Sequence, residues 1–328
     1  MKRQQLKKTR KRKKRKLFKR IVQLFILILL VFASYTGYTF WKVYNSAYDD
    51  LDRVKSKLRD AAVTISNDPV SILIMGVEDY SSGGKGGRSD TLMVATFNPK
   101  DETMKLLSIP RDTRVYIKEK DKKTKINHAY SYGGKELTIE TVEDFLNIPI
   151  DYYVTVNFEG FKNIIDILGG IEVDVPFDFK QNSDDRVAEK LEFKEGPMTL
   201  DGRHALAYAR MRLEDPRGDL GRNERQQQVV MAVIDKLSSI GTITKIDKLT
   251  DEIGDNVETN MKVTELLAFY KKYSDFNSSK IEQVKLEGTP EYINGVSYYI
   301  VDDESLAEVQ HDLQDHLNFQ LNNRASLE

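Results

Sequence analysis

Three short apolar runs between residues 70 and 109 constrain the fold of this 328-residue chain most strongly. They span Val70–Met75, Thr91–Phe97 and Met104–Ile109, and they are followed by Gly, by Asn-Pro and by Pro, respectively. Runs of this length, rich in Val, Ile, Leu and Met and closed by turn residues, are typical of buried strands. The sequence therefore predicts a buried sheet that begins near Val70.

Helical and strand-like patterns alternate after this region. Lys135–Leu146 and Phe158–Leu168 carry apolar residues at helical spacing, whereas Tyr152–Val156 and Ile171–Val175 have the composition of strands. Further helices are predicted over Ala205–Ala209, from about Gly221, and over Glu304–Leu317. This alternation predicts an α/β domain with a mixed central β-sheet and helices on both faces.

Charged residues occupy the gaps between the predicted strands, where a buried sheet displays its chemistry. The first gap holds Glu78, Asp79, Arg88 and Asp90 around a Gly-rich loop, and Arg111 follows the third strand. Carboxylates suit a hard divalent cation, and arginines bind phosphate oxygens in bidentate fashion. A surface loop with ordinary salt bridges is the alternative for one such cluster, but two clusters at the ends of adjacent strands favour a phosphate site.

A second group of arginines follows the helix that Asp201 is placed to cap. In a continuous helix Arg210 and Arg212 would point about 200° apart, so they share a site only if the helix ends there. Arg222, Arg225 and Gln226 share one face of the next predicted helix, close to an N-terminus that favours anions. Salt bridges to neighbouring acids are the alternative, and the residues alone leave it open; these acids are Glu214, Asp215 and Asp219.

An ordered series of motifs extends from Val70 to Ser239. It comprises GRSDTLM, NPK, SIPRDTRV, KINHAYSYGG, DYYVTVNFEGF, LGGIEVDVP, LDGRHALAYARMR and GRNERQ. The series resembles the LytR–CpsA–Psr family, whose members are membrane-anchored bacterial enzymes that attach glycopolymers to the cell wall. The resemblance implies transfer of a polymer, such as wall teichoic acid, from a polyprenyl-diphosphate carrier to a sugar hydroxyl of peptidoglycan.

The resemblance also implies roles for individual residues. Asp90, Arg88 and Arg111 would be catalytic, and a Mg²⁺ or Mn²⁺ ion would be held by Asp90 with Glu78 or Asp79. Diphosphate binding would fall to Arg88, Arg111, Arg210, Arg212, Arg222, Arg225 and Gln226. The chain has Gly76-Val77-Glu78-Asp79-Tyr80 where the family pattern is Gly-x-Asp-x-Arg. This departure leaves both Glu78 and Asp79 open as the first metal ligand and removes one arginine.

Two other functions remain as alternatives. A diphosphatase acting on the same lipid carrier would release free polymer, and a non-catalytic envelope-binding or regulatory protein would bind the lipid without turnover. The chain has no cysteine, no phosphate-binding loop of the GxxxxGK[ST] type and no Ser-His-Asp ordering. Thiol, ATP-driven and serine-nucleophile chemistry are therefore unsupported. Of the four histidines, His128 is interpreted as structural or substrate-orienting, and His311 and His316 as solvent-facing.

The N-terminal region predicts a membrane anchor. Residues 2–20 hold thirteen Lys or Arg and no acid, and the 21 residues Ile21–Trp41 carry no charge. At about 1.5 Å per residue this run spans a hydrocarbon core of about 30 Å. The basic tail then lies in the cytoplasm and the rest outside, in an envelope of the Gram-positive type. A cleaved signal peptide is the alternative, and topology rather than nucleic-acid binding accounts for the basic tail.

The predicted organisation has five parts. A cytoplasmic tail (1–20) precedes a transmembrane helix (21–41), a helical extracytoplasmic stalk (42–69), a catalytic domain (70–320) and a short C-terminal tail (321–328). The predicted partners are the lipid-linked glycopolymer, peptidoglycan and the membrane.

Overall fold

The computed structural model describes residues 55–78, 87–182, 190–238 and 256–320. In chain order the strands are β1 (Val70–Val77), β2 (Ser89–Asn98), β3 (Thr103–Ser108), β4 (Arg114–Ile117), β5 (Lys122–Lys125), β6 (Tyr152–Asn157), β7 (Ile171–Val175), β8 (Phe179–Asn182), β9 (Lys190–Phe193), β10 (Gly196–Leu200), β11 (Val257–Thr259), β12 (Ile281–Val284), β13 (Gly288–Ile293) and β14 (Val296–Val301). The α-helices are α1 (His128–Leu146), α2 (Phe158–Leu168), α3 (Gly202–Arg210), α4 (Asp219–Leu237), α5 (Val263–Lys272) and α6 (Asp303–His316).

Six strands form one mixed sheet in the order β11–β6–β1–β2–β3–β12. The pairs β1–β2, β2–β3 and β6–β11 are antiparallel, and the pairs β1–β6 and β3–β12 are parallel. Shorter pairs surround this sheet: β4–β5, β7–β10, β8–β9 and β13–β14. The predicted mixed α/β fold is confirmed.

Strand direction brings the charged gaps of the sequence to one edge of the sheet. Val77 at the end of β1 pairs with Ser89 at the start of β2 and with Asn157 at the end of β6. Strand β3 also ends at this edge, because Ser108 pairs with Met93 near the start of β2. Glu78, Asp90 and Arg111 therefore leave the sheet side by side.

Both faces of the sheet are covered, as the near-continuous burial of β2 requires. On one face Leu73, Met75 and Val94 belong to the same core cluster as Val142 of α1 and Leu313 of α6. On the other face Met93, Phe97 and Leu106 form a second cluster, which includes Tyr273 and Phe276 after α5. Phe97 is fully buried there and contacts Phe269, Tyr273 and Phe276 edge-to-face at 5.0–5.5 Å between ring centroids.

The prediction of a helical stalk over residues 42–69 is wrong for its described part. Residues 55–69 contain turns and irregular backbone but no helix. Ser56 donates to the buried Glu143 at 2.6 Å, and Arg59 binds Asp151 at 2.7 Å. These contacts hold the segment against the domain in a non-helical conformation. Tertiary contacts therefore outweigh the local helical pattern.

The described residues contain no helix that is long and apolar enough to cross a membrane. The predicted basic tail, the predicted span Ile21–Trp41 and the first part of the stalk lie outside the described residues, as does the C-terminal tail.

The prediction that His316 faces the solvent is also wrong. Its Nδ1 lies 2.7 Å from Thr96 Oγ1, and its Nε2 lies 3.0 Å from Thr103 Oγ1. Asn98 donates to its backbone carbonyl at 3.1 Å. Burial and the nearby Lys105 lower the pKa of His316, because both disfavour the charged imidazolium. His316, the last residue of α6, therefore connects this helix to β2 and β3. His311 is exposed, as predicted.

Candidate active site

A cavity of about 680 Å³ lies between the sheet and helices α2, α3 and α4. Most of its wall is apolar, with residues from β1, β6, α2 and α4, including Ile72, Ile74, Val154, Val156, Phe161, Ile164, Val229, Val230, Val233, Ile234 and Leu237. The lining of α4 extends from Arg222 to Leu237, fifteen positions or about 22 Å along the helix. The polar lining residues gather at the sheet edge described above: Glu78, Asp90, Arg111, Arg210, Arg222 and Gln226.

Arg111 and Asp90 form an ion pair at this polar end. Arg111 Nη1 donates to Asp90 Oδ1 at 2.7 Å, and both side chains are about a quarter exposed. Burial alone would lower the pKa of Arg111. The hydrogen bond to Asp90 and the charges of Asp90, Asp219 and Asp112 outweigh that effect and raise the pKa. Arg111 therefore remains a cation in a partly dry site.

Asp219, in the first turn of α4, connects three arginines. Its carboxylate lies 2.9 Å from Arg222 Nη2, 2.8 Å from Arg212 Nε and 4.0 Å from Arg111 Nε. One acid thus faces three cations, so this part of the site keeps a positive excess. Burial and the neighbouring Arg111 lower the pKa of Arg222, although Asp219 opposes the shift.

Two guanidinium donors at this polar end are buried without acceptors. Arg111 Nε and Arg222 Nε have no hydrogen-bond partner among the described residues. A buried donor left without an acceptor costs about 1–3 kcal/mol. Arginine forks that keep such donors beside a cavity are suited to a bound anion with several oxygens, such as a phosphate.

Arg210 reaches the cavity because α3 ends at this residue. Met211 has extended backbone angles (φ −59°, ψ 133°), so the helix does not carry Arg212 to the opposite face. The Arg210 guanidinium lies 4.7 Å from the centre of the Phe158 ring, and both residues line the cavity. The aromatic ring holds the cation towards the cavity. Arg212, about half exposed, binds Asp219 instead and does not line the cavity.

Two carboxylates at the polar end are available to a divalent cation. Glu78 and Asp90 both line the cavity, at the end of β1 and the start of β2. No group of three or more potential ligands occurs among the described residues. Mg²⁺ is commonly held by one or two carboxylates together with substrate phosphates, so this donor set fits magnesium bound with its substrate.

Comparison with known proteins identifies a family. Residues 37–315 match the model of the LytR_cpsA_psr family. This match covers well over half of the chain.

The protein belongs to the LytR–CpsA–Psr family.

Named relatives align with most of this chain. It is 51% identical over 287 residues to the polyisoprenyl-teichoic acid–peptidoglycan teichoic acid transferase TagV of Bacillus subtilis (strain 168), covering 85% of this chain and 73% of the relative. It is 45% identical over 273 residues to the corresponding TagU of Halalkalibacterium halodurans, covering 82% and 87%. The crystal structure of B. subtilis TagV superposes with a TM-score of 0.70 at 52% identity, covering 78% of this chain and all of that one.

Within this LytR–CpsA–Psr domain, the structure separates the predicted site residues into two groups. Asp90, Glu78, Arg111, Arg210, Arg222 and Gln226 come together at the cavity. Arg88 is exposed just before β2 and does not line the cavity. Asp79 lies outside the described residues, so the choice between Glu78 and Asp79 stays a prediction.

Arg225 differs from the other predicted diphosphate ligands. It is 1% exposed, and its guanidinium donates to Asp215 and to the backbone carbonyls of Met211 and Tyr208. It does not line the cavity. The geometry therefore corrects its assignment: Arg225 joins α4 to the segment after α3, which matches the salt-bridge alternative considered for this residue.

Two residues of the site were not predicted as functional. Asp219 was considered only as a salt-bridge partner, yet it orients three arginines. An acid in the first turn of a helix that carries arginines three positions later is the sequence signal for this role. Phe158 was predicted only as the start of a helix, and its position under Arg210 depends on the packing of α2 against α3, which the sequence does not reveal.

Proposed function

We propose that this protein transfers an anionic glycopolymer of the teichoic acid class from a polyisoprenyl-diphosphate carrier to peptidoglycan. The cavity is the observation that carries the proposal, because it joins a long apolar channel to a cluster of arginines and carboxylates. A lipid diphosphate has the same two parts in the same order. The relatives TagV and TagU are named for this reaction.

The apolar channel holds the isoprenoid chain. Each buried CH₂ group gains about 0.8 kcal/mol relative to water, but almost nothing relative to the bilayer from which the lipid comes. The channel therefore makes extraction from the membrane feasible without selecting the substrate strongly. Selection rests on the arginines around the diphosphate.

The polar end supports attack of a sugar hydroxyl on the phosphorus that bears the polymer. The new bond joins the acceptor oxygen to this phosphorus, and the bond to the bridging oxygen breaks, releasing polyisoprenyl phosphate. Such transfers depend on alignment and charge neutralisation more than on a covalent protein intermediate. Arg111, Arg210 and Arg222 bind the diphosphate oxygens, and the unused Nε donors of Arg111 and Arg222 find their acceptors there.

Asp90 and Glu78 hold a Mg²⁺ or Mn²⁺ ion in this proposal, and Asp79 is the alternative to Glu78. The ion supplies additional positive charge to the phosphate oxygens. Asp90 also accepts a hydrogen bond from Arg111. In this proposal one of these carboxylates accepts the proton of the attacking hydroxyl.

Residues 21–41 anchor the protein in the membrane, with the domain outside the cytoplasm. The support is the basic tail that precedes the uncharged run. Protease added to intact cells stripped of their wall should digest the domain, and full protection would contradict this topology.

Transfer is tested directly with the full-length protein in detergent, a polyisoprenyl-diphosphate donor with a labelled polymer, and purified peptidoglycan. We expect label covalently bound to peptidoglycan and stoichiometric polyisoprenyl phosphate. Release of free polymer in the absence of acceptor identifies a diphosphatase instead. Tight lipid binding without turnover identifies a non-catalytic binding protein.

A further inference from the structure

The hairpin formed by β4 and β5 carries a concentration of positive charge that the transfer chemistry does not use. Residues 114–125 hold six basic and two acidic side chains. The chain after residue 20 is acidic as a whole, with 37 basic and 51 acidic residues. A basic region in an otherwise acidic protein is a surface that attracts anions.

One face of the hairpin presents cations between aromatic rings. Arg114 pairs with Lys125, and Tyr116 pairs with Lys123. Residues directly opposite each other in an antiparallel pair point to the same side of the sheet, so these four side chains share a face. Val115, Ile117 and Thr124 are buried on the other face at 6%, 0% and 6% exposure.

The neighbouring hairpin β13–β14 extends this face. Thr113 pairs with Tyr299 in parallel, which brings β14 alongside β4. The Arg114 guanidinium lies 5.7 Å from the centre of the Tyr298 ring. Tyr116, which is 45% exposed, provides a second ring on the same face. Cations alternating with exposed aromatic rings suit a ligand that combines phosphates with sugars or polyols.

Not all of these cations are neutralised by protein acids. Lys125 binds Asp112 at 2.9 Å, and Lys118 binds Asp144 at 2.8 Å. Lys123 is exposed on this face and forms no ion pair with any described residue. Lys122 pairs with Ile117 and so belongs to the other face, where it lies 4.9 Å from the centre of the Tyr132 ring.

The hairpin adjoins the polar end of the cavity in the fold, because the backbone N–H of Asn127, two residues after β5, donates to the carbonyl of Arg111 at 3.3 Å. Arg111 lines the cavity, and Arg114 of the hairpin follows three residues later. His128 Nδ1 lies 2.8 Å from Thr124 Oγ1 of β5. Burial lowers the pKa of His128, and the charges of Arg88, before β2, and of Lys125 and Lys122, in β5, lower it further.

We propose that the face of the β4–β5 hairpin binds the phosphate-bearing polymer of the donor where it leaves the cavity. This inference rests on the proposed function. The donor is favoured over the acceptor because its chain continues from the diphosphate with one negative charge per repeating unit. Several weak contacts along such a chain add up, whereas the acceptor need only bring one hydroxyl to the phosphorus.

The test compares two donors and two pairs of charge reversals in the full-length protein. One donor carries a long polymer of phosphodiester-linked units, and the other carries only the uncharged linkage sugars on the same lipid diphosphate. Lys123→Glu/Lys125→Glu reverses the two cations of β5 that share this face. Lys100→Glu/Lys271→Glu is the matched control, because Lys100 is exposed in the turn after β2, at the opposite end of this strand from Asp90, and Lys271 is exposed on α5.

For the long donor we expect the hairpin variant to raise KM on the order of tenfold with little change in kcat, as the loss of a few exposed ionic contacts allows. The short donor should be unaffected, and the control pair should behave as wild type with both donors. Binding of soluble poly(glycerol phosphate) should weaken in the hairpin variant and with added salt. Lys123→Gln/Lys125→Gln should show a smaller effect in the same direction.

Equal effects on the long and short donors would overturn the inference, as would an equal effect of the control pair. A rise in KM for peptidoglycan alone would assign this face to the acceptor and overturn it too. Failure of the wild-type protein to transfer either donor would contradict the proposed function itself. An unchanged thermal unfolding midpoint in the hairpin variant shows that the measured differences do not arise from misfolding.

Discussion

Two groups of arginines, only a few residues apart in sequence, have opposite environments. Arg225 is fully buried, and its guanidinium is satisfied by Asp215 and by two backbone carbonyls. Arg222 lies one turn earlier on the same helix, and it shares Asp219 with two other arginines while its Nε donor has no partner among the described residues. The satisfied arginine stabilises the fold, and the unsatisfied one is available to a ligand.

The backbone around Asp215 explains why Arg225 is buried and fully satisfied. A Cβ atom on Gly221 would lie 1.8 Å from Asp215 Oδ2, so only glycine allows the carboxylate to pack against α4. Asp215 also accepts from the backbone N–H of Arg217 at 2.7 Å. The segment between α3 and α4 is thereby fixed, and it holds Arg212 beside Asp219.

Replacing Arg225 should have the largest effect. Arg225→Met leaves the Asp215 carboxylate buried without its partner, which costs about 3–5 kcal/mol of the free energy of unfolding. Urea denaturation measures this loss. The double variant Arg225→Met/Asp215→Asn should recover part of it, because the uncompensated charge is gone. A variant as stable as wild type that no longer binds diphosphate would place Arg225 among the ligands after all.

Asp90→Asn should affect turnover and leave folding nearly unchanged. The substitution keeps the shape but removes the charge that holds Arg111 and, in our proposal, the metal, so we expect transfer to fall about 100-fold with weaker dependence on Mg²⁺. Rates across a Mg²⁺ titration, with thermal unfolding as a control, provide the measurement. The same titration on Glu78→Gln and Asp79→Asn decides between these two acids, and an unchanged Asp90→Asn enzyme would remove the metal from the proposal.

Arg222→Met should separate binding from stability. A charge-assisted contact contributes about 1.5–3 kcal/mol, so affinity for inorganic diphosphate should fall ten- to hundredfold. The free energy of unfolding should change little, because Asp219 retains Arg212 and Arg111 and a repulsion between cations is relieved. Isothermal titration calorimetry measures the affinity, and urea denaturation measures the stability. A loss of stability without a loss of affinity would show that Arg222, like Arg225, serves the fold rather than the ligand.

The smallest expected effect is the pH dependence of the stabilisation that the Arg225–Asp215 pair provides. Burial alone would raise the pKa of Asp215, but hydrogen bonds from Arg225 and the Arg217 backbone outweigh it and lower the pKa. The stabilisation is therefore complete above the unfolded-state pKa of about 3.9 and is lost as pH falls through the lower folded-state value. The difference in the free energy of unfolding between wild type and Arg225→Met should therefore become smaller in acid. A difference that does not change with pH would contradict the lowered pKa of Asp215.

The sequence predicts the sheet and several helices well because their signals are local. Helix Phe158–Leu168 and strand Ile171–Val175 have the predicted bounds, since a clear apolar period is closed by Gly169-Gly170 in left-handed conformations. The edge that gathers Asp90 and Arg111 was also predictable from strand order. Arg222 and Arg225 are different, because the same helical face continues from the cavity to the buried Asp215, and only the path of the chain after α3 decides which arginine is satisfied.

The predicted stalk shows the complementary limit. Its apolar spacing favoured a helix, but Ser56 and Arg59 bind residues more than eighty positions away, Glu143 and Asp151. No local pattern reports such partners, so the tertiary structure overrides the periodicity.

The same two contacts determine how the domain bears mechanical load. The N-terminal segment is fastened by Ser56–Glu143 and Arg59–Asp151 before it enters β1, which lies in the interior of the sheet between β6 and β2. A pull on residue 55 along the axis of β1 is first resisted by these two contacts. It is then resisted by the backbone hydrogen bonds from β1 to β6 and to β2, which are loaded in shear and must break together. A strand at the sheet edge would have only one ladder to resist the same pull. With the proposed anchor at residues 21–41, the domain is thus held through a strand that is paired on both sides.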